Sequence, residues 1–314
     1  MLYVLRTYSI VKPMKILKAI TLSIGELEQP VITSYQLGLI IFNLYKTKIY
    51  KGEPITNIQK EVADSTIYNK IIRLLDSDGI LIQYKGLPLG AAYSLLGRSH
   101  ESIEDVVCII DPFSYVSHLS AMEFHGLTNR GPSKLFVSSP APKQWKIFAL
   151  ERMGKDLKKD CKTYQENKMP LLRRTVIKKI GRREIHRFSS VHWGAYKNVK
   201  GRSMRVSTIG RTFLDMLRNP ELCGGIDHVL DVFDKHGRDY INLIVDEIDQ
   251  HGGPIDKVRA GYIFDERLGL KFEKEKSWIK FAQRGGSRRL DASSEYEPVW
   301  SEKWCLSLNI ISEN

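Results

Sequence analysis

The stretch "STIYNKIIRLLDSDG" (65–79) is followed at once by "ILIQY" and, past a loop holding Lys85, Gly86 and Pro88, by "AAYSLL". This succession constrains the fold more than any other part of the chain. Ile67, Ile71, Leu74 and Leu75 recur at helical spacing and predict a helix that buries them, while Gly79 can take the left-handed backbone that stops it. The two β-prone runs behind the stop predict a hairpin. On the helix's other face Ser65, Asn69 and Arg73 stand at i, i+4 and i+8, flanked by Thr66 and Lys70, with Tyr68 at the border. Hydrogen-bonding and cationic groups in such a strip can reach base edges in a major groove.

The residues upstream extend this pattern. Thr33 and Gln36 form a capping-box pair, and Leu37, Ile40, Ile41 and Leu44 then recur at helical spacing before Lys46 and Lys48. A second such pair, Thr56 and Gln59 in "TNIQKEVA", predicts a short helix with Ile58 and Val62 on one face, before Asp64 and Ser65 break and recap the chain. Helix, turn, helix, hairpin is the order of a winged helix-turn-helix, and its hairpin loop would set Lys85 against a phosphate or near the minor groove. Winged helices also serve as protein-contact modules, and the order of elements leaves that alternative open.

Charge agrees with a polyanionic partner. The 314-residue chain has a net charge of +12 and a pI near 9.4, so nucleic acid comes first and an anionic membrane second. All the excess lies in residues 1–200; residues 201–314 hold 17 Lys or Arg against 19 Asp or Glu. Cys108, Cys161, Cys223 and Cys305 lack the spacing of zinc sites or redox pairs, and the eight histidines form no HExxH, so no metal and no cofactor is expected. No apolar run reaches the ~20 residues that span a bilayer, and "MLYVLRTYSIVKP" is a poor signal peptide, which predicts a cytoplasmic protein without membrane contact. Met14 reads as a second candidate start.

Beyond residue 98 the expected elements change character. "VVCII" reads as a buried strand, and Asp111 with Pro112 as the start of a helix whose Tyr115, Leu119 and Met122 face a core. Gly126 ends that helix. His125 then lies in the last turn, where it can bond the helix's own carbonyls and, if charged, meet the negative end of the dipole, a structural role. "SKLFVSS" predicts a strand, and "RRTVIKKIGRREIHR" (173–187) predicts strands around Gly181. The basic residues of that stretch, Arg173, Arg174, Lys178, Lys179, Arg182, Arg183 and Arg187, form either a nucleic-acid groove or a solvated hairpin face. In "VSTIGRTFLDMLRNPELCGG", Thr208 is a candidate cap, Ile209, Phe213, Met216 and Leu217 the buried side, and Arg211–Asp215 a surface i, i+4 pair of ~0.2–0.5 kcal/mol. "GGIDHVLDVF", "RDYINLIVDEIDQHGG" and "PIDKVRAGYIFDERLG" predict three further helices, and "WSEKWCLSLN" a closing strand.

Several of these segments together resemble the AbiEi family, the antitoxins of bacterial type IV toxin–antitoxin systems. "LSAMEFHGLT" is similar to that family's Ser-Ala and His-Gly-Leu signature, "VSTIGRTFLDMLRNPELCGG" to its Arg-Thr-hydrophobic-hydrophobic-Asp helix and glycine pair, "KVRAGYIFDERLG" to its next helix, and "WCLSLN" to its ending. Gly210 stands where the family more often has a charged residue before Arg211. The resemblance implies an α+β chain with a winged-helix domain over residues 1–98 and a larger mixed α/β antitoxin domain over 99–314. His125, Gly126, Arg211, Thr212 and Asp215 are the motif residues it assigns to the latter. It also implies a repressor that binds double-stranded DNA of its own promoter at inverted repeats and opposes a nucleotidyltransferase-type toxin without a tight complex. The competing class is an enzyme, a nuclease or nucleotidyltransferase, since "GGSRRLDAS" (285–293) has the Gly-Ser of the latter; Asp291 there lacks the second carboxylate that a bridging metal needs.

Overall fold

The computed structural model describes residues 14–56, 58–97, 102–190, 193–283 and 288–310. The chain is a mixed α+β protein that forms two compact units, Met1–Ile110 with Gln144–Val176, and Asp111–Lys143 with Ile177–Asn314. The first unit therefore takes in two segments beyond the expected 1–98.

The first unit begins with β1 (Met14–Lys15), α1 (Ile16–Gly25), β2 (Val31–Thr33) and α2 (Ser34–Thr47). The capping box forms as the sequence dictates: the Gln36 amide donates to Thr33 Oγ1 at 3.2 Å, and the Thr33 amide to Gln36 Oε1 at 3.0 Å. Next come β3 (Ile49–Tyr50) and β4 (Glu53–Thr56), and here one expectation fails. Thr56 pairs with Lys15 of β1 and so ends a strand instead of capping a helix, and residues 58–64 form no helix, with a bend over 60–62. An eight-residue helix is below the length that nucleates alone, so strand pairing wins.

Helix α3 (Ser65–Ser77) follows, capped by Asp64, whose side chain accepts from the Ile67 amide at 2.9 Å. Gly79 closes it at φ +67°, with the Ile80 amide donating back to Leu75 O at 2.9 Å. Ile71 and Leu75 are buried, whereas Leu74 is 40% exposed and does not join the core. Strands β5 (Leu81–Gln83) and β6 (Ala92–Leu95) then form the expected antiparallel hairpin, and β6 also pairs with β2, giving the sheet order β2-β6-β5. The segment expected as the strand "VVCII" is instead helix α4 (Ile103–Ile110), buried from Asp105 to Ile110. A continuous apolar run fits a buried helix as well as a strand.

The chain then enters the second unit through β7 (Tyr115–Val116), α5 (His118–Phe124) and β8 (Lys134–Pro140), and returns to the first for α6 (Pro142–Leu157) and α7 (Cys161–Glu166). Asp111 and Pro112 thus precede a strand, and α5 starts only after Ser117. Tyr164 of α7 closes the first core against Phe42, ring to ring at 5.1 Å.

The second unit continues with β9 (Lys179–Ile180), β10 (Arg183–Ser190), β11 (Tyr196–Asn198) and β12 (Arg205–Ser207). Its sheet has the order β11-β12-β7-β8-β10-β9, with β8 and β10 parallel in the register Leu135↔Ile185. Helices α8 (Ile209–Arg218), α9 (Ile226–His251) and α10 (Pro254–Tyr262) supply most of the core. The two helices expected over 224–253 are one 26-residue helix, and the closing strand is a small antiparallel hairpin, Trp300–Ser301 with Leu306–Ser307. Helix α8 lies so close to α9 that a Cβ on Gly210 would stand 2.3 Å from Leu243 O. That proximity accounts for glycine at this position of the motif.

Candidate nucleic-acid interface

Thr66, Asn69, Lys70 and Arg73 are exposed along one side of α3, at i, i+3, i+4 and i+7. The helix exists because Asp64 caps it and because Ile71 and Leu75 anchor the opposite side. Its polar stripe is thereby held facing solvent. The side chains of Asn69, Lys70 and Arg73 make no hydrogen bond or ion pair with other described residues, so their donors are unspent. Two expected contacts fare differently. Ser65 is half-buried, its amide tied to Asn167 O at 3.0 Å. Tyr68 is only 7% exposed and belongs to the core, where burial pushes its phenol well above the usual range. The i+3 step from Ser65 rotates Tyr68 toward the Ile71 side, so it cannot reach a groove.

Lys85 is exposed in the loop between β5 and β6. The same loop carries Leu89, 93% exposed, which sequence reading passed over. An apolar residue set between Pro88 and Gly90 in a loop was the available signal. Residues 88–91 of this loop, residues 33–35 and residues 168–176 line one cavity of about 630 Å³ within the first unit. Arg173 and Arg174 are in that lining, so this part of the basic stretch belongs with the hairpin.

The remaining basic residues fall in the second unit. Lys178, Lys179 and Arg182 are exposed around the β9–β10 turn, where Gly181 has φ +56°, and Arg183 is half-buried. Arg187 is not surface: its side chain is 10% exposed and pairs with the fully buried Asp111 at 3.3 Å. No strand forms over 173–178.

Of the five motif residues of the second unit, Arg211, Thr212 and Asp215 are buried, His125 is half-buried and Gly126 is exposed. His125 caps α5 and Gly126 follows at φ +68°, as a helix stop requires. The imidazole, however, donates from Nε2 to Ser207 O at 2.7 Å and not to its own helix. Burial holds its pKa below the ordinary imidazole value, which opposes the charge a dipole interaction would need. Ser207 Oγ bonds Thr212 Oγ1 at 2.8 Å, and Thr212 Oγ1 donates to Thr208 O at 2.8 Å, which ties the end of α5 to the start of α8. Thr208 caps α8 by accepting from the Arg211 amide.

Arg211 and Asp215 are not the expected surface pair. Their side chains are each 4% exposed and meet at 2.8 Å. Burial opposes charge on the guanidinium, but Asp215 outweighs it and holds the Arg211 pKa above its ordinary value. Asp215 Oδ2 and Glu247 Oε1 have no hydrogen-bond partner, and burial raises the Glu247 pKa. Asp291 is spent as a local cap, accepting from the Ser293 amide at 2.9 Å and from the Ser293 hydroxyl at 2.6 Å. Among the described residues, no three His, Cys, Asp or Glu side chains group as metal ligands, and no helix is long and apolar enough to cross a membrane.

No family model matches the chain, and no curated protein matches it. Among solved structures it is similar to the crystal structure of RV2827C protein from Mycobacterium tuberculosis, at 12% identity and a TM-score of 0.46, over 93% of this chain and 90% of that one.

Proposed function

We propose that the chain is a DNA-binding autorepressor and type IV antitoxin, in which the first unit reads a promoter through a winged helix-turn-helix. The order α1, β2, α2, α3, β5, β6, with β2 paired to β6, supports this reading once β3 and β4 are taken as an insertion between the second and third helices. The observation that carries it is the unpartnered stripe Asn69, Lys70 and Arg73 on α3. Asn is suited to adenine and Arg to guanine through paired hydrogen bonds, each worth about 1–3 kcal/mol. Lys85 and Arg173 add sequence-independent phosphate contacts, and Leu89 offers an apolar tip for a minor groove.

The antitoxin assignment rests on the AbiEi resemblance of the second unit, with a nucleotidyltransferase-type toxin as functional partner in the cytoplasm. Two readouts separate the roles. The protein shifts its own upstream DNA, and Asn69→Ala or Arg73→Ala relaxes sequence preference while Lys85→Ala weakens all sequences alike. Growth rescue on co-expression with a neighbouring toxin gene survives Asn69→Ala and Arg73→Ala. Unchanged DNA binding in all three variants removes the DNA reading; absence of rescue by the parent protein removes the antitoxin reading. An enzymatic alternative has less support, because the Asp291 carboxylate is occupied by Ser293 and Ser294.

A further inference from the structure

A pocket of about 520 Å³ opens in the second unit between the segment 126–130, behind the His125–Gly126 stop, and one face of α9. That face presents His228, Asp231, Val232, Lys235 and His236, which are i, i+3, i+4, i+7 and i+8 on the helix. Arg130 enters from the opposite wall. Arg130 and Lys235 are both exposed, and neither forms an ion pair with any described residue. Asp231 is the single acid in the lining, and Asp234 beside it is engaged by Arg267 through two 2.8 Å bonds. The pocket is therefore net cationic.

Its floor is fixed. His228 is 8% exposed, its Nε2 bonded to Thr128 Oγ1 at 2.9 Å. Gly224, at φ +93°, brings the backbone so near that a Cβ would stand 2.8 Å from the His228 ring. The Arg130 amide donates to Thr128 Oγ1 at 3.0 Å and its guanidinium to Gly224 O at 3.4 Å, which orients the cation over the pocket. Burial, and next the positive charge of Arg130 with a smaller push from Lys235, hold the His228 imidazole below its ordinary value. Asp231 opposes that field, yet the imidazole stays on the lowered side. Two cations on facing walls of a concave pocket of small-molecule size match a compact polyanion better than the convex backbone of a duplex.

We propose that this pocket binds the phosphate groups of a small phosphorylated molecule of nucleoside di- or triphosphate size, with Arg130 and Lys235 as its anion ligands. The inference is independent of the DNA-binding reading. Isothermal titration of the full-length protein with pyrophosphate and with ATP tests it, alongside NMR of the histidine rings. The expected result is saturable binding that weakens at least tenfold in Arg130→Gln/Lys235→Gln, is unchanged in Asn69→Ala, and moves the His228 ring signals. Both substituted side chains are exposed, so the double variant folds; an unchanged melting temperature checks this. No saturable binding, equal affinity in the double variant, or binding of duplex DNA alone at this pocket overturns the proposal.

Discussion

Arg73 and Arg211 occupy helices of similar length, and the two helices use the same residue type in opposite ways. On α3 the arginine points to solvent, belongs to a stripe of side chains without partners, and leaves the packing to Ile71 and Leu75. On α8 the arginine is inside, held by Asp215 four residues on, in a helix buried from Gly210 to Leu217. A cation with free donors on a rigid surface is available for a ligand, whereas a cation paired in the interior is committed to the fold. Sequence spacing cannot tell them apart, because what differs is whether another element lies on top of the helix.

The largest effect separating the two regions is expected at Arg211. Arg211→Ala leaves Asp215 buried without its partner and costs about 3–5 kcal/mol, measured by chemical unfolding. Arg211→Met with Asp215→Leu recovers most of that loss. Gly210→Ala drives a methyl into Leu243 O and is expected to cost about 1–3 kcal/mol in the same assay, unless α9 can shift. On α3 the pattern inverts: Asn69→Ala and Arg73→Ala change stability by less than about 0.5 kcal/mol but each costs about 1–3 kcal/mol in specific DNA binding. If Arg73→Ala unfolds the protein, or Arg211→Ala leaves its stability unchanged, the contrast fails.

The smallest effect is a pH dependence. Burial lowers the pKa of His118, His125 and His228 from the ordinary 6.5. Each imidazole then takes up a proton more readily in the unfolded chain, so stability is full above about pH 6.5 and declines as pH falls from there toward the depressed folded values. Melting temperatures between pH 7.5 and 5 are expected to drop on the acid side, and His125→Gln is expected to make that slope shallower. A flat profile would mean that these rings gain protons as easily folded as unfolded.

Much of the local structure was legible because it is encoded within a few residues. The Thr33–Gln36 box, the Gly79 and Gly126 stops, the β5–β6 hairpin and the Thr208 cap all follow from short-range chemistry. The errors share a cause in long-range partners. Thr56 becomes a strand end because β1 lies beside it, 106–110 becomes helical among other buried elements, and His125 finds Ser207, 82 residues away. Of the candidate interface, the exposed positions Thr66, Asn69, Lys70, Arg73 and Lys85 were readable from amphipathicity. Tyr68 and Leu74 were not, since one residue of helix rotation decides which side they take. Arg187 was misread because its partner Asp111 is 76 positions earlier.

Selection of bound fragments from random duplex DNA, run in parallel with the parent protein, Asn69→Ala and Arg73→Ala, tests the proposed DNA-binding role of α3 most directly. The account predicts an enriched inverted repeat for the parent and loss of preference at separate positions in each variant. No enriched motif, or one identical motif for all three proteins, would contradict it.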